Sequence, residues 1–382
     1  MERPSLELAD VVRAFGGALA ARTRLASGQR RALRDAARCR TAALGGHVQR
    51  CGGCAHARVA YNSCRNRHCP KCCASQQAAW LSREAANLLP VEYHHVVFTL
   101  PAEVNPVALA NPVAVYDALL SAAAEAIREV AAAPRHLGAE VGLLLVLHTW
   151  GQTLSYHPHV HGVATGGGLT PDGLWRSCRP GFFLPVRVLS RVFRGIFLTR
   201  MSEAFARGKL AGFDNAIAFA AWAGRLRARE WVVYSKPPFG GPEQVLKYLA
   251  RYTHRVAIGN SRLVKLEGGR VTFGYKDYAD AAKAKSMTLD GVEFLRRWVS
   301  HVLPRGFVKI RHCGLLANRH RAAKLSACRR LLWASGLVPV ACVAEADGRP
   351  DPCPVCGAEG WLIGERFGPV GVGGAWCGLD SS

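Results

Sequence analysis

The sequence has no apolar run approaching the ~20 residues that a membrane-spanning helix requires. Its longest, from Val141 to Leu147, falls far short, which sets aside a bilayer-embedded protein and gives the expectation of no membrane partner. Acidic side chains are scarce: 27 Asp and Glu stand against 50 Lys and Arg over 382 residues, leaving a formal charge of +23 and a pI near 10. That balance favours a polyanionic partner such as DNA or RNA. No Gly-x4-Gly-Lys-[Ser/Thr] loop is present, so nothing marks a nucleotide-hydrolysing engine. No apolar segment with a small-residue cleavage site opens the chain, and Glu2, Glu7 and Asp10 argue against a transit peptide. A cytoplasmic protein, held at the nucleoid if its partner is DNA, is the expectation. There is no internal repeat.

Cysteine, by contrast, is plentiful. Without a leader, fourteen cysteines in close Cys-x-x-Cys pairs favour thiolates holding metal in a reducing compartment over disulfides. Cys51-Gly-Gly-Cys54 and Cys69-Pro-Lys-Cys72, fourteen residues apart, have the spacing of one four-cysteine structural Zn2+ site. Cys39, His47, Cys64 and His68 surround them, enough ligands for two ions. Cys39 and Cys64 could equally be plain buried thiols. Cys73 has no assignable role. A second knuckle, Cys353-Pro-Val-Cys356, lacks an obvious partner pair, with Cys328, Cys342 or Cys377 as candidates. A block this short cannot bury enough apolar surface to fold alone, so metal would supply the folding energy. Arg50, Arg58, Arg65, Arg67 and Lys71 lie among the ligands and suit phosphate contacts.

Periodicity predicts helix over residues 5 to 40, with Ser5 as a possible cap, and a strand from Tyr93 to Leu100 that Pro101 stops. Helix over 113–132 and strands over 141–149 and 159–165 follow. The order strand, helix, strand, strand predicts an α+β domain with a ferredoxin-like antiparallel sheet. Trp231 to Tyr234 reads as another strand, a helix begins near Glu243, and Gly268-Gly269 marks a hairpin between Arg262 and Tyr275. Three regions are expected: 1–90, N-terminal helices and a zinc-binding DNA-recognition domain; 91–304, a catalytic domain; and 305–382, a basic region with a possible knuckle and a glycine-rich tail. From Arg305 to Arg330 the chain carries eight Lys or Arg and no Asp or Glu.

The chemistry concentrates in Tyr156-His157-Pro158-His159-Val160-His161-Gly162. On a strand, residues two apart share a face, so His159 and His161 would stand side by side while Val160 turns into the core. Two imidazoles and one further donor would leave open positions on Mg2+ or Mn2+ for a phosphate and water. Gln152, Gln244 and His148 are the candidates for the third donor, with Gln152, just before the strand, preferred. Tyr248 and Tyr252, four apart on a helix, would offer two phenols to one site. Two aromatics at that spacing are also a common core pattern. Lys247, Arg251, His254 and Arg255 interleave with them and could hold a DNA backbone and favour phenolate. Arg311, Arg319 and Arg321 are the DNA-binding candidates of the basic segment. Trp150, Tyr156, Trp231 and Phe239 could stack bases of single-stranded DNA, although aromatics more often fill the core.

Several segments together resemble the rolling-circle transposases of the insertion sequence ninety-one family, within the wider group of His-hydrophobic-His tyrosine endonucleases. They are Tyr61-Asn-Ser-Cys-Arg-Asn-Arg-His-Cys-Pro-Lys-Cys72, His95-Val-Val-Phe-Thr-Leu-Pro101, His157 to His161, Tyr248 to Arg255, and Arg311-His-Cys-Gly-Leu-Leu-Ala-Asn318. The resemblance spans roughly residues 35 to 330. It implies an N-terminal zinc domain that recognises an element end, and His159 and His161 holding Mg2+ or Mn2+. It also implies a tyrosine that cleaves one strand, keeps the 5′-phosphate and passes it to a target 3′-hydroxyl. Arg251, His254 and Arg255 crowd Tyr252, which favours it as the first to attack. A plasmid or phage replication initiator or relaxase would share this chemistry. A non-catalytic zinc-dependent DNA-binding protein would share only the zinc block.

Overall fold

The computed structural model describes residues 6–236, 244, 245, 248, 257–337 and 352–370. Where a single helical stretch is expected at the start, two helices form, α1 (Leu8–Arg22) and α2 (Ser27–Arg38). Glu7 caps α1, its N–H donating to the Asp10 carboxylate at 2.8 Å. A hairpin of β1 (Gly46–Cys51) and β2 (Ala57–Tyr61) follows, then α3 (Pro70–Ala85), with Pro70 in its first turn where no N–H is needed.

The central sheet begins at β3 (Tyr93–Thr99). After α4 (Asn105–Ala110) and α5 (Pro112–Ala132) come the long strands β4 (Glu140–Trp150) and β5 (Tyr156–Leu169). The short strand β6 (Trp175–Ser177), α6 (Val186–Ala206), α7 (Ala216–Ala228) and β7 (Val233–Ser235) complete this part. Three further strands, β8 (Leu263–Glu267), β9 (Arg270–Asp277) and β10 (Lys283–Asp290), make a separate antiparallel sheet, one strand more than the hairpin expected from Gly268-Gly269. Helix α8 (Gly291–Ser300), strand β11 (Ile310–Gly314), helix α9 (Arg321–Ala334) and strand β12 (Trp361–Phe367) close the described chain.

The fold is α+β, with antiparallel sheets and helices. In the central sheet the order is β11-β4-β5-β3-β7, with β6 on β5. Its two faces are set by alternation. Val96, Phe98, Leu143, Leu145, Leu147, Val160 and Ala164 point one way and join the largest core with α5 and α6. The alternate residues Tyr93, Leu144 and Val163 face a smaller core that includes Trp80 of α3 and Val245. A third core packs α1 and α2 against α8 and the β8–β10 sheet. Among the described residues no helix is long and apolar enough to cross a membrane.

The segment beyond residue 304 is divided between two bodies rather than standing apart. β11 pairs with β4 as an edge of the central sheet, and β12 pairs with β1 of the N-terminal hairpin. Gly314 explains how β11 ends so close to β4. It has φ +59°, and a Cβ there would meet the Val141 carbonyl oxygen at 1.9 Å, so only glycine fits.

Candidate active site and cysteine clusters

The register of β4 and β5 builds the histidine site. His159 on β5 lies opposite His148 on β4, and His161 opposite Val146, so all three imidazoles stand on the face away from the helix-packed core. Of the three candidate third donors it is His148 that clusters with His159 and His161; the Gln152 side chain is turned toward the β9 strand, where its Oε1 accepts from Lys276 N at 3.4 Å. Gln244, the other candidate, is exposed. Ligand atoms of His148, His159 and His161 lie within 4.8 Å of one another.

A hydrogen bond fixes the tautomer of His159. His159 Nδ1–H donates to the His157 carbonyl at 2.7 Å, which leaves its Nε2 bare. That Nε2 faces His161 Nε2 at 3.0 Å. On the other edge of His161, Nδ1 is 3.1 Å from the Tyr248 hydroxyl. Burial keeps these rings neutral: it pushes His159 down to about 4 and His161 well below the ordinary imidazole value, with His148 and His159 adding to the effect on His161. Neutral imidazoles with their ring nitrogens gathered this closely fit a divalent metal.

A fourth histidine joins the set from β3. His95 sits opposite Val163, so it shares the face of His159 and His161. Its Nε2 is 2.5 Å from the Tyr248 hydroxyl and 3.0 Å from His161 Nδ1. Burial first, then Lys236 and His159, push His95 down to about 3, so its ring is neutral. In the sequence it opens the segment His95 to Pro101 that carries the resemblance, with nothing to assign it to the site. The neighbouring His94 points to the other face and stacks on Phe183 at 5.0 Å. Tyr248 is thus held at the histidines; Lys247, Arg251, Tyr252, His254 and Arg255 lie outside the described residues.

The chain is 52% identical over 347 residues to a protein described as "Putative transposase y4qJ" of Sinorhizobium fredii, covering 89% of this chain and 87% of that one. It is 30% identical over 294 residues to the transposase for insertion sequence element IS801 of Pseudomonas savastanoi pv. phaseolicola, covering 74% and 68%. A family described as a transposase zinc-binding domain of the insertion sequence ninety-one group matches residues 11–100, and one described as "Putative transposase" matches 142–324. This chain belongs to the insertion sequence ninety-one family of transposases. No solved structure matches it.

Within this transposase the cysteines pair differently from the sequence expectation. Cys69 and Cys72 cluster with Cys39 and Cys64, whereas Cys51 and Cys54 cluster with Cys353 and Cys356. The fourteen-residue spacing misleads because β2 carries the chain away from one cluster before it reaches the other. Cys328, proposed as a partner for the second knuckle, is buried instead among Leu89, Leu315 and Leu332; Cys342 and Cys377 lie outside the described residues. His47 and His68 join neither cluster. His47 bonds Gln49, and buried His68 accepts from Leu303 N at 3.1 Å while its other nitrogen pairs with Asn66. Cys73, which had no role, is buried with its thiol on the Arg67 carbonyl.

The basic residues also sort themselves. Arg40, Arg58, Arg65 and Lys71 line a cleft of about 960 Å³ with His47 and Tyr61. Arg67 does not join them; its guanidinium is turned inward onto the carbonyls of Pro304 and Phe307. Arg311 lies opposite Leu145, on the helix side of the sheet, where it pairs with Asp117, so it is remote from the histidines. Arg319 is exposed and Arg321 half-buried, while Lys324 of the same segment is tied to Glu140 at 2.6 Å. Trp231 packs in the core against Phe193 and Phe197, and the Tyr156 hydroxyl is spent on Tyr116 at 2.6 Å, so neither is free to stack a base. Trp150 lies flat on His148, with ring centres 4.5 Å apart; Phe239 is outside the described residues.

Proposed function

We propose that this transposase binds the ends of its insertion sequence and cleaves and rejoins single-stranded DNA through a 5′-phosphotyrosine link, in rolling-circle transposition in the cytoplasm. The observation that carries the reading is the Tyr248 hydroxyl bonded to the edge of His161, one of three clustered imidazoles. His148, His159 and His161 would hold Mg2+ or Mn2+. When bound, the ion supplies Lewis-acid polarisation of a phosphoryl oxygen. The sheet that carries them is read as the ferredoxin-like scaffold of the tyrosine nucleases, supported by paired histidines on an inner antiparallel strand.

Tyr248 attacks first in this reading, on the strength of its own place at the histidines, and Tyr252 serves the second strand transfer. The Tyr248 proton passes to His95 Nε2 as Oη forms a bond to phosphorus and the bond to the 3′-oxygen breaks. The departing oxygen takes up a proton and becomes a free 3′-hydroxyl. The new phosphotyrosyl ester keeps the energy of the broken bond for rejoining, so no nucleotide is consumed. Cys39, Cys64, Cys69 and Cys72 would hold a structural Zn2+ within the zinc-binding domain. Arg40, Arg58 and Arg65 would hold phosphates in the adjoining cleft, and Lys247, Arg251, Arg255, Arg319 and Arg321 would hold backbone nearer the reaction.

Incubating the protein with labelled single-stranded DNA from its own element ends and Mn2+ should give a protein–DNA band that survives SDS. The His159→Ala/His161→Ala and Tyr248→Phe variants should lose it. Tight binding without such a band, at any end sequence and with either metal, would leave a non-catalytic DNA-binding protein.

A further inference from the structure

The two Cys-x-x-Cys pairs that meet across the length of the chain are built alike. In the first, Cys51 N–H donates to the His56 carbonyl at 2.8 Å and Ala55 N–H donates back to the Cys51 carbonyl at 3.1 Å. In the second, Cys353 N–H donates to Ala358 at 3.0 Å and Gly357 N–H donates to Cys353 at 2.8 Å. The residue after the second cysteine is left-handed in both, Ala55 at φ 57° and Gly357 at φ 74°. Gly53 N–H also points at Cys51 Sγ at 3.3 Å, as a donor to a thiolate does.

These are two copies of one knuckle, each followed by a strand. β12, after the second, lies antiparallel on β1, before the first, with Cys51 opposite Trp361 and Gly46 opposite Phe367. Across the junction, Cys51 Sγ is 3.5 Å from Cys356 Sγ and Cys54 Sγ is 3.7 Å from Cys353 Sγ. Four sulfurs at about 2.3 Å from a tetrahedral Zn2+ stand roughly 3.8 Å apart, whereas a disulfide brings them to ~2.05 Å. The spacing is that of a tetrathiolate. The ribbon has little core of its own: Leu362 and Ile363 of β12 and Val59 of β2 are more than half exposed. Strand pairing alone is a weak tie for so small a sheet.

We propose that Cys51, Cys54, Cys353 and Cys356 form a second structural zinc site, which closes the two ends of the chain into one zinc ribbon. It is separate from the Cys39, Cys64, Cys69 and Cys72 cluster and does not depend on the transposition reading. Residues 353–367 then belong to the N-terminal body, and a fragment holding the first hundred residues alone lacks two ligands and an edge strand.

Elemental analysis of the purified full-length chain should find two Zn2+ per molecule, and the Cys353→Ser/Cys356→Ser variant one. Because that variant could misfold, the wild type is also treated with iodoacetamide and read by peptide mass. Cys54 and Cys356 are exposed, so as free thiols they would alkylate at once; as zinc ligands they stay protected until a chelator removes the metal. One zinc in the wild type with immediate labelling of Cys54 and Cys356, or two zinc ions retained in the variant, would overturn the proposal.

Discussion

At pH 7 a phenol of ordinary pKa, ~10, is almost wholly protonated, so Tyr248 needs somewhere to send its proton as it attacks. His95 Nε2, 2.5 Å from the hydroxyl, is that place. Because burial leaves His95 a weak base, replacing it with Leu should slow formation of the DNA adduct by about a hundred-fold, the low end of ~10²–10⁴ for a positioned base. His95→Gln, which keeps an acceptor there, should recover the hydroxyl's orientation and part of the rate. Single-turnover rates of the two variants check this, and equal losses would count against a role for the acceptor. His301 makes a different argument. It is fully buried between Thr149 and Leu154, and burial pushes it down to about 4. Between pH 4 and ~6.5 the unfolded chain binds a proton that the folded chain refuses. The folded state is therefore fully stable above pH ~6.5 and loses up to about 3 kcal/mol as pH falls toward 4. In urea unfolding, His301→Gln should show a shallower decline than the wild type over that window; an identical slope would exclude His301 as its source.

At the scale of elements, β5 carries the site because its alternation is strict: Val160 is fully buried between two imidazoles that face the other way. Val160→Ala should cost roughly 1.5–3 kcal/mol, the worth of a buried aliphatic side chain, while leaving both imidazoles on their face. Denaturant midpoints would show the loss, and an unchanged midpoint would mean that the strand is not anchored through this residue. This element was legible in the sequence because a period of two with a β-branched residue between histidines has few other readings. The strands around it were legible for the same reason. His95 and His148 were harder to find, since each is a histidine on an apolar strand and only the register with β5 brings it to the site. The ligands of the first cysteine cluster were legible as candidates, but the pairing of Cys51 and Cys54 with Cys353 and Cys356 was not, because it depends on β12 returning to β1 over some three hundred residues. Arg311 and Arg67 were misplaced as DNA contacts because charge in a sequence does not say whether a cation faces solvent, Asp117 or a buried carbonyl.

Over the whole molecule, a charge of +23 is concentrated by topology. The cleft of Arg40, Arg58 and Arg65 lies beside the first cysteine cluster, while Lys71, Arg311 and Lys324 are committed to ion pairs with Glu7, Asp117 and Glu140. If only the free cations meet phosphate, the affinity for single-stranded DNA should still fall steeply with salt, by about 0.7 in log–log slope per phosphate contacted. Arg58→Ala/Arg65→Ala should reduce that slope by about 1.4, whereas Arg311→Ala should leave it unchanged. Binding measured from 50 to 300 mM salt tests the division; a larger effect from Arg311 would reverse it.

The central claim is that Tyr248, held against the histidine cluster, is the nucleophile. The most direct test is to trap the covalent adduct formed on an element-end oligonucleotide with Mn2+, digest both protein and DNA, and find the modified peptide by mass. The account predicts a nucleotide 5′-phosphate on Tyr248 in the first strand cleavage. A first-cleavage adduct found only on Tyr252, or on no tyrosine, would contradict it.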